Sequence, residues 1–95
     1  MDAREILNLL KDQEADLSRA REMNFYFYGS EQNLVPFQAA LEEFGFAVRP
    51  TQGSSGRIAT VNIVVEEEWL NRRLDQISTL IAQYDVEYDG WEAAI

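Results

Sequence analysis

The 95 residues make one domain, of which folding buries roughly 60% of the unfolded surface, and a 46% hydrophobic, 12% aromatic composition excludes an intrinsically disordered chain. Cysteine and histidine are both absent. That removes disulfides, thiolate nucleophiles, histidine triads, the usual general base near neutral pH and the usual transition-metal ligands. The formal net charge is −9; it repels phosphate backbones and anionic lipid heads and steers the chain toward basic partners.

The acidity is uneven. Up to Arg21 there are five acids and four bases, and from Glu22 onward twelve acids and four bases. The opening MDAREILNLL lacks the charged, apolar, small-residue order of a signal peptide, and no apolar run approaches about 18 residues. The expectation is a soluble cytoplasmic protein.

Asp2 and Glu5 have the spacing of a capping box. Ile6, Leu9, Leu10, Leu17 and Ala20 then follow helical periodicity, so a first helix is expected to run to about Ala20. In NFYFYG the alternation reads as a strand, with Met23, Phe25 and Phe27 on one face and Asn24, Tyr26 and Tyr28 on the other. After Gly29 and Ser30, the positions of Leu34, Phe37, Ala40, Leu41 and Phe44 predict a helix ended by Gly45. Pro36 suits only a first turn, which places the helix start near Asn33.

Phe46 to Arg49 reads as a short strand halted by Pro50, and TQGSSG as the one flexible loop. From Arg57 to Val65, alternating β-branched residues predict a central strand. Glu66, Glu67 and Glu68 put negative charge where the next helix begins, as its dipole favours. Leu70, Leu74, Ile77, Leu80, Ile81 and Tyr84 make the cleanest amphipathic stripe, and Val86 to Trp91 form a last strand. The order β-α-β-β-α-β is that of an α+β, ferredoxin-like fold: a four-stranded antiparallel sheet with two helices on one face, here with an additional N-terminal helix.

The closing YDVEYDGW invites several chemistries. Asp85, Glu87, Asp89 and Gly90 imitate the opening of a calcium loop, but the glutamate required at position twelve falls beyond Ile95, so the pattern does not close. Tyr26 and Tyr28 lie where ferredoxin-like sheets stack single-stranded RNA, yet Arg49 and Arg57 are few bases against so many acids, and Gly53 to Gly56 contain neither lysine nor arginine. An acid enzyme built on paired carboxylates finds no pocket around Glu42, Glu43 or the Glu66 to Glu68 run. No catalytic residue, cofactor or metal site is therefore expected. What remains is a strand whose Asp85, Glu87 and Asp89 share one side, roughly 6.8 Å apart at successive positions. Val86 and Tyr88 share the other. Strict parity sets Trp91 beside the acids, whereas a bulge at Gly90 returns it to the core. In both arrangements an acidic row stands near a large aromatic, as at recognition surfaces.

From Phe25 to about Trp91 the chain resembles the regulator of ribonuclease activity B family, the protein inhibitors of ribonuclease E. The resemblance is strongest in LDQISTLIAQYDVEYDGWEA and looser in FYFYGSEQNL and LEEFGFAV. It implies a ferredoxin-like fold, no catalysis, and inhibition by docking on the basic carboxy-terminal scaffold half of the endoribonuclease. Asp85, Glu87, Tyr88, Asp89, Gly90 and Trp91 match the family motif position by position. Two features depart from the family: TQGSSG replaces a more acidic connection, and the acidic extension that follows the tryptophan strand in its well-known member has no counterpart in these 95 residues.

The expected partner-binding residues are thus Asp85, Glu87, Tyr88, Asp89 and Trp91, with Glu66, Glu67 and Glu68 secondary. The expected partner is a basic protein segment rather than a membrane or a nucleic acid. An immunity protein against a basic toxin, or a single-stranded RNA-binding domain, is the alternative reading.

Overall fold

The computed structural model describes residues 8–9, 20–53, 55–64 and 67–93. Its elements run β1 (Ala20–Tyr28), α1 (Glu31–Glu43), β2 (Ala47–Pro50), β3 (Gly56–Val64), α2 (Glu67–Tyr84) and β4 (Glu87–Ala93). The strands form one antiparallel sheet in the order β2-β3-β1-β4. This is the expected α+β, ferredoxin-like arrangement.

Alternation in β1 decides which face is covered. Met23, Phe25 and Phe27 are fully buried, and one apolar cluster joins them to Ala59 of β3, to Leu34, Phe37 and Leu41 of α1, and to Leu70, Leu74 and Ile77 of α2. Burying each large side chain contributes roughly 1.5–3 kcal/mol. The aromatics also meet in directed pairs. Phe25 stands edge-on to Phe46 with centroids 6.0 Å apart, and Phe27 to Phe37 at 4.9 Å.

The helix α1 starts earlier than Pro36 suggests. Ser30 is its N-cap, with Oγ accepting the Asn33 amide at 3.3 Å. The cap satisfies a donor that the chain would otherwise leave open, and Pro36 then falls in the second turn, where its ring denies a hydrogen bond only to the exposed Gln32 carbonyl. The far end is as expected. Gly45 takes φ +93°, its amide donates to the Glu42 carbonyl at 3.1 Å, and the Phe46 amide donates to Leu41 at 3.3 Å. This is the paired bonding of a Schellman motif, sealed by the buried Leu41 and Phe46.

Pro50, expected to halt β2, instead belongs to it and pairs with Arg57. An outer strand tolerates a proline because one backbone side needs no partner. At the same end of the sheet, the buried Arg57 donates to Gln38 Oε1 at 2.7 Å and sits 2.9 Å from the Glu31 carboxylate, tying β3 to α1. The TQGSSG connection is anchored, since Ser55 Oγ donates to the Gly29 carbonyl at 2.6 Å.

The predicted first helix lies almost wholly outside the described residues. Asn8 and Leu9 are helical, but Ala20 already opens β1, pairing with Val64. Gly45→Ala is expected to cost about 1–2 kcal/mol, because only glycine enters left-handed backbone without strain; urea denaturation at equilibrium measures it.

Candidate partner-binding surface

The helix α2 passes into β4 through a tight reversal. Asp85 has φ +54°, the Val86 amide donates back to the Ile81 carbonyl at 3.3 Å, and Asn33 Nδ2 donates to the Asp85 carbonyl at 3.4 Å. Asp85 thus does for α2 what Gly45 does for α1, in a conformation that aspartate tolerates better than most residues. Its carboxylate stays exposed. It is a turn residue, however, and stands outside the strand row that simple alternation assigned to it.

The key irregularity follows. Tyr88 pairs with Phe27, and Gly90 pairs with the next residue back, Tyr26, so Asp89 has no partner on β1. Two residues of β4 occupy one step of its neighbour, which is a β-bulge, and Gly90 supplies φ +124°. The extra residue reverses the alternation beyond it. Trp91 therefore sits opposite Phe25 and Ala93 opposite Met23, both toward the core. The bulged alternative for Trp91 is the one adopted.

The same reversal brings Glu92 to the open face opposite Asn24. There it completes a polar chain across all four strands. Arg49 of β2 donates to Thr60 Oγ1 at 3.0 Å, Thr60 donates to Asn24 Oδ1 at 2.6 Å, and Asn24 Nδ2 donates to Glu92 Oε1 at 3.3 Å. The Tyr26 hydroxyl donates to the same carboxylate oxygen at 2.8 Å. That hydrogen bond, aided by burial and by the carboxylate's charge, raises the Tyr26 phenol above its ordinary value of 10.0.

Among the expected contact residues, Asp85, Glu87 and Asp89 are exposed, with Glu87 opposite Tyr28 on the open face. Tyr88 and Trp91 are half-buried and pack inward, away from Glu87 and Glu92. Glu68 is exposed on α2, Glu67 opens that helix, and Glu66 lies outside the described residues. Glu92 was missed by the sequence reading, because strict alternation sends it inward. Its signal was the glycine before Trp91: a large aromatic that needs the core, preceded by a residue suited to a bulge, shifts every later side chain by one face.

No described group of three or more carboxylates is arranged to hold a metal ion. No helix among the described residues is long and apolar enough to cross a membrane. The profile of the family described as regulator of ribonuclease activity B matches residues 1–93. The chain belongs to the regulator of ribonuclease activity B family. A comparison with curated proteins finds no significant match. The match to the regulator of ribonuclease activity B family spans both the described domain and the segment before it, and membership supports a general regulatory role.

Tyr88 gives this surface a measurable signature. Its ring lies 5.6 Å from that of Phe27, and its hydroxyl is buried with no hydrogen-bond partner among the described residues. Burial pushes its phenol up to about 12. The unfolded phenol ionises near 10 and the folded one near 12. Between those values the unfolded chain has lost the proton that the folded chain keeps, so the Tyr88 contribution is constant below pH 10 and stability falls from pH 10 to 12. Tyr88→Phe is expected to raise stability by about 1 kcal/mol at neutral pH and to remove the part of the alkaline fall that Tyr88 supplies; thermal melts across that pH range read both effects.

Proposed function

We propose that the chain is a non-enzymatic acidic regulator that binds a basic segment of a ribonuclease, in the first instance the carboxy-terminal scaffold half of ribonuclease E, and so alters RNA turnover. Family membership supports the regulatory role. The observation that carries the finer reading is the line of exposed carboxylates Asp85, Glu87, Asp89 and Glu92 along and before β4, beside the half-exposed Tyr26 ring on the same open face as Glu87 and Glu92. Carboxylates next to an aromatic face suit lysine and arginine, which gain both charge pairing and ring contact. A phosphate backbone would meet Glu92 on the very face that would have to stack its bases, and Tyr26 already donates to that carboxylate. This favours a protein partner over RNA.

Tyr88 and Trp91 serve this reading as anchors: packed on the core, they fix the strand from which the acids project. Glu68, with Glu66 and Glu67, remains a secondary contact. The proposed setting is the cytoplasm, where such a ribonuclease acts.

The test is a binding titration of the protein against the carboxy-terminal half of ribonuclease E from the same host, at low and near-physiological salt. The chain is expected to bind, and to bind more weakly as salt screens the charges. Changing Asp85 and Asp89 to asparagine and Glu87 to glutamine together is expected to cost roughly 1–3 kcal/mol of binding, about 5- to 150-fold in Kd, while the fold persists. A wild-type chain that fails to bind at either salt concentration would overturn the proposed partner. A triple variant that binds as tightly as wild type would overturn the assignment of the surface.

A further inference from the structure

The helical layer carries a surface of a different kind. Phe44 follows the last helical residue of α1, with its ring half-buried against the core. Against it α2 sets Asp75, Gln76, Thr79, Leu80 and Gln83, and with Phe44 these line an open groove of about 340 Å³. The spacing of 75, 79 and 83, with 76 and 80 between them, is that of neighbouring rows on one helix face. The lining surface is largely apolar, and Phe44 and Leu80 are its two hydrocarbon side chains.

Its electrostatics are negative. Asp75 stands in the lining, exposed. The C-terminal end of α1 arrives at the groove, where the aligned peptide dipoles leave about −0.5 of a charge. Instead of the lysine or arginine that ordinarily answers such an end, the last turn of α1 contains no base and carries Glu42 and Glu43, both exposed. The last turn of α2 has no base either. Two bases precede the groove on α2: Arg72, exposed and three residues before Asp75, and Arg73, whose guanidinium lies 5.4 Å from the Trp69 ring centroid and donates to Gln76 at 3.2 Å. Asp75, Glu42, Glu43 and a helix end outweigh Arg72 and Arg73, so the apolar slot lies in a net negative field.

Resting on the function proposed above, we infer that this groove is a second docking surface for the same ribonuclease scaffold, and that its occupant is a basic amphipathic segment. One apolar side chain of that segment enters between Phe44 and Leu80, while flanking lysines or arginines meet Asp75, Glu42 and Glu43. Charge selects this occupant. A neutral apolar segment would gain from the lining alone, and an acidic one would be repelled by the rim.

The experiment is amide chemical-shift mapping on the full chain with the carboxy-terminal half of ribonuclease E, combined with two variants, Asp75→Lys and Thr79→Arg, at exposed groove positions. Shifts at Phe44, Asp75, Thr79 and Gln83, with at least a fivefold loss of affinity in each variant and unaltered thermal midpoints, are the expected result. Shifts confined to residues 85–92, with both variants binding as wild type, would overturn the groove and leave the regulator reading standing. No binding by the wild-type chain would overturn both. If both free variants instead lose thermal stability, the chain's own residues 1–19 fill the groove; if the free chain is a dimer that both variants dissociate, a second copy does. Either result overturns the inference.

Discussion

Phe25 and Phe27, two residues apart on the same face of β1, are the constraint to which the other elements conform. The two rings are fully buried, and each of the neighbouring pieces is registered against one of them. Phe46, at the entry to β2, meets Phe25 edge-on; Phe37 of α1 and Tyr88 of β4 meet Phe27. Aromatic pairs favour particular tilts as well as contact, so this pairing fixes orientation along with proximity. The bulge in β4 follows from the same demand. Tyr88 and Trp91 must both face β1's buried rings although they are three positions apart, an odd spacing that a regular strand sends to opposite faces. One extra residue resolves the conflict, and Gly90 is the residue whose backbone permits it.

Much of this was legible in the sequence because it rests on periodicity. The alternation of Met23, Phe25 and Phe27, the stripe from Leu70 to Leu80 and the glycine after Phe44 each encode one local rule, and the structure obeys each of them. The errors arose where two rules competed. Pro36 argues for a late start to α1, but the structure caps the helix early at Ser30, and an interior proline near a helix start forfeits a single bond. Likewise Pro50 reads as a terminator, yet in a strand paired on one side it terminates nothing.

The surface was less legible than the core. Alternation gives the right side for Glu87 and loses its footing at Asp89, so Glu92 is assigned to the wrong face until the bulge is counted. The polar chain from Arg49 to Glu92 could not be read from any one strand, because it depends on the lateral order β2-β3-β1-β4 and on a register that only pairing reveals. The groove beside Phe44 is further still from the sequence, since it joins the end of one helix to the middle of another with no motif in either. Charge was visible from the start; its placement was a property of the fold.

The two outer strands of the sheet also bear on how copies of the chain meet one another. An unpaired strand offers a row of amides and carbonyls to any similar strand that drifts against it, and sheets grow into fibres by this route. On one side β2 is only four residues long and closes with Pro50, which has no amide to offer. On the other, β4 is kinked at Asp89 and Gly90 and fringed with carboxylates that repel the same strand in a second copy. A continuous sheet running through two molecules is thereby disfavoured from either side. The bulge that turns Trp91 inward thus also protects the edge it distorts from its own likeness.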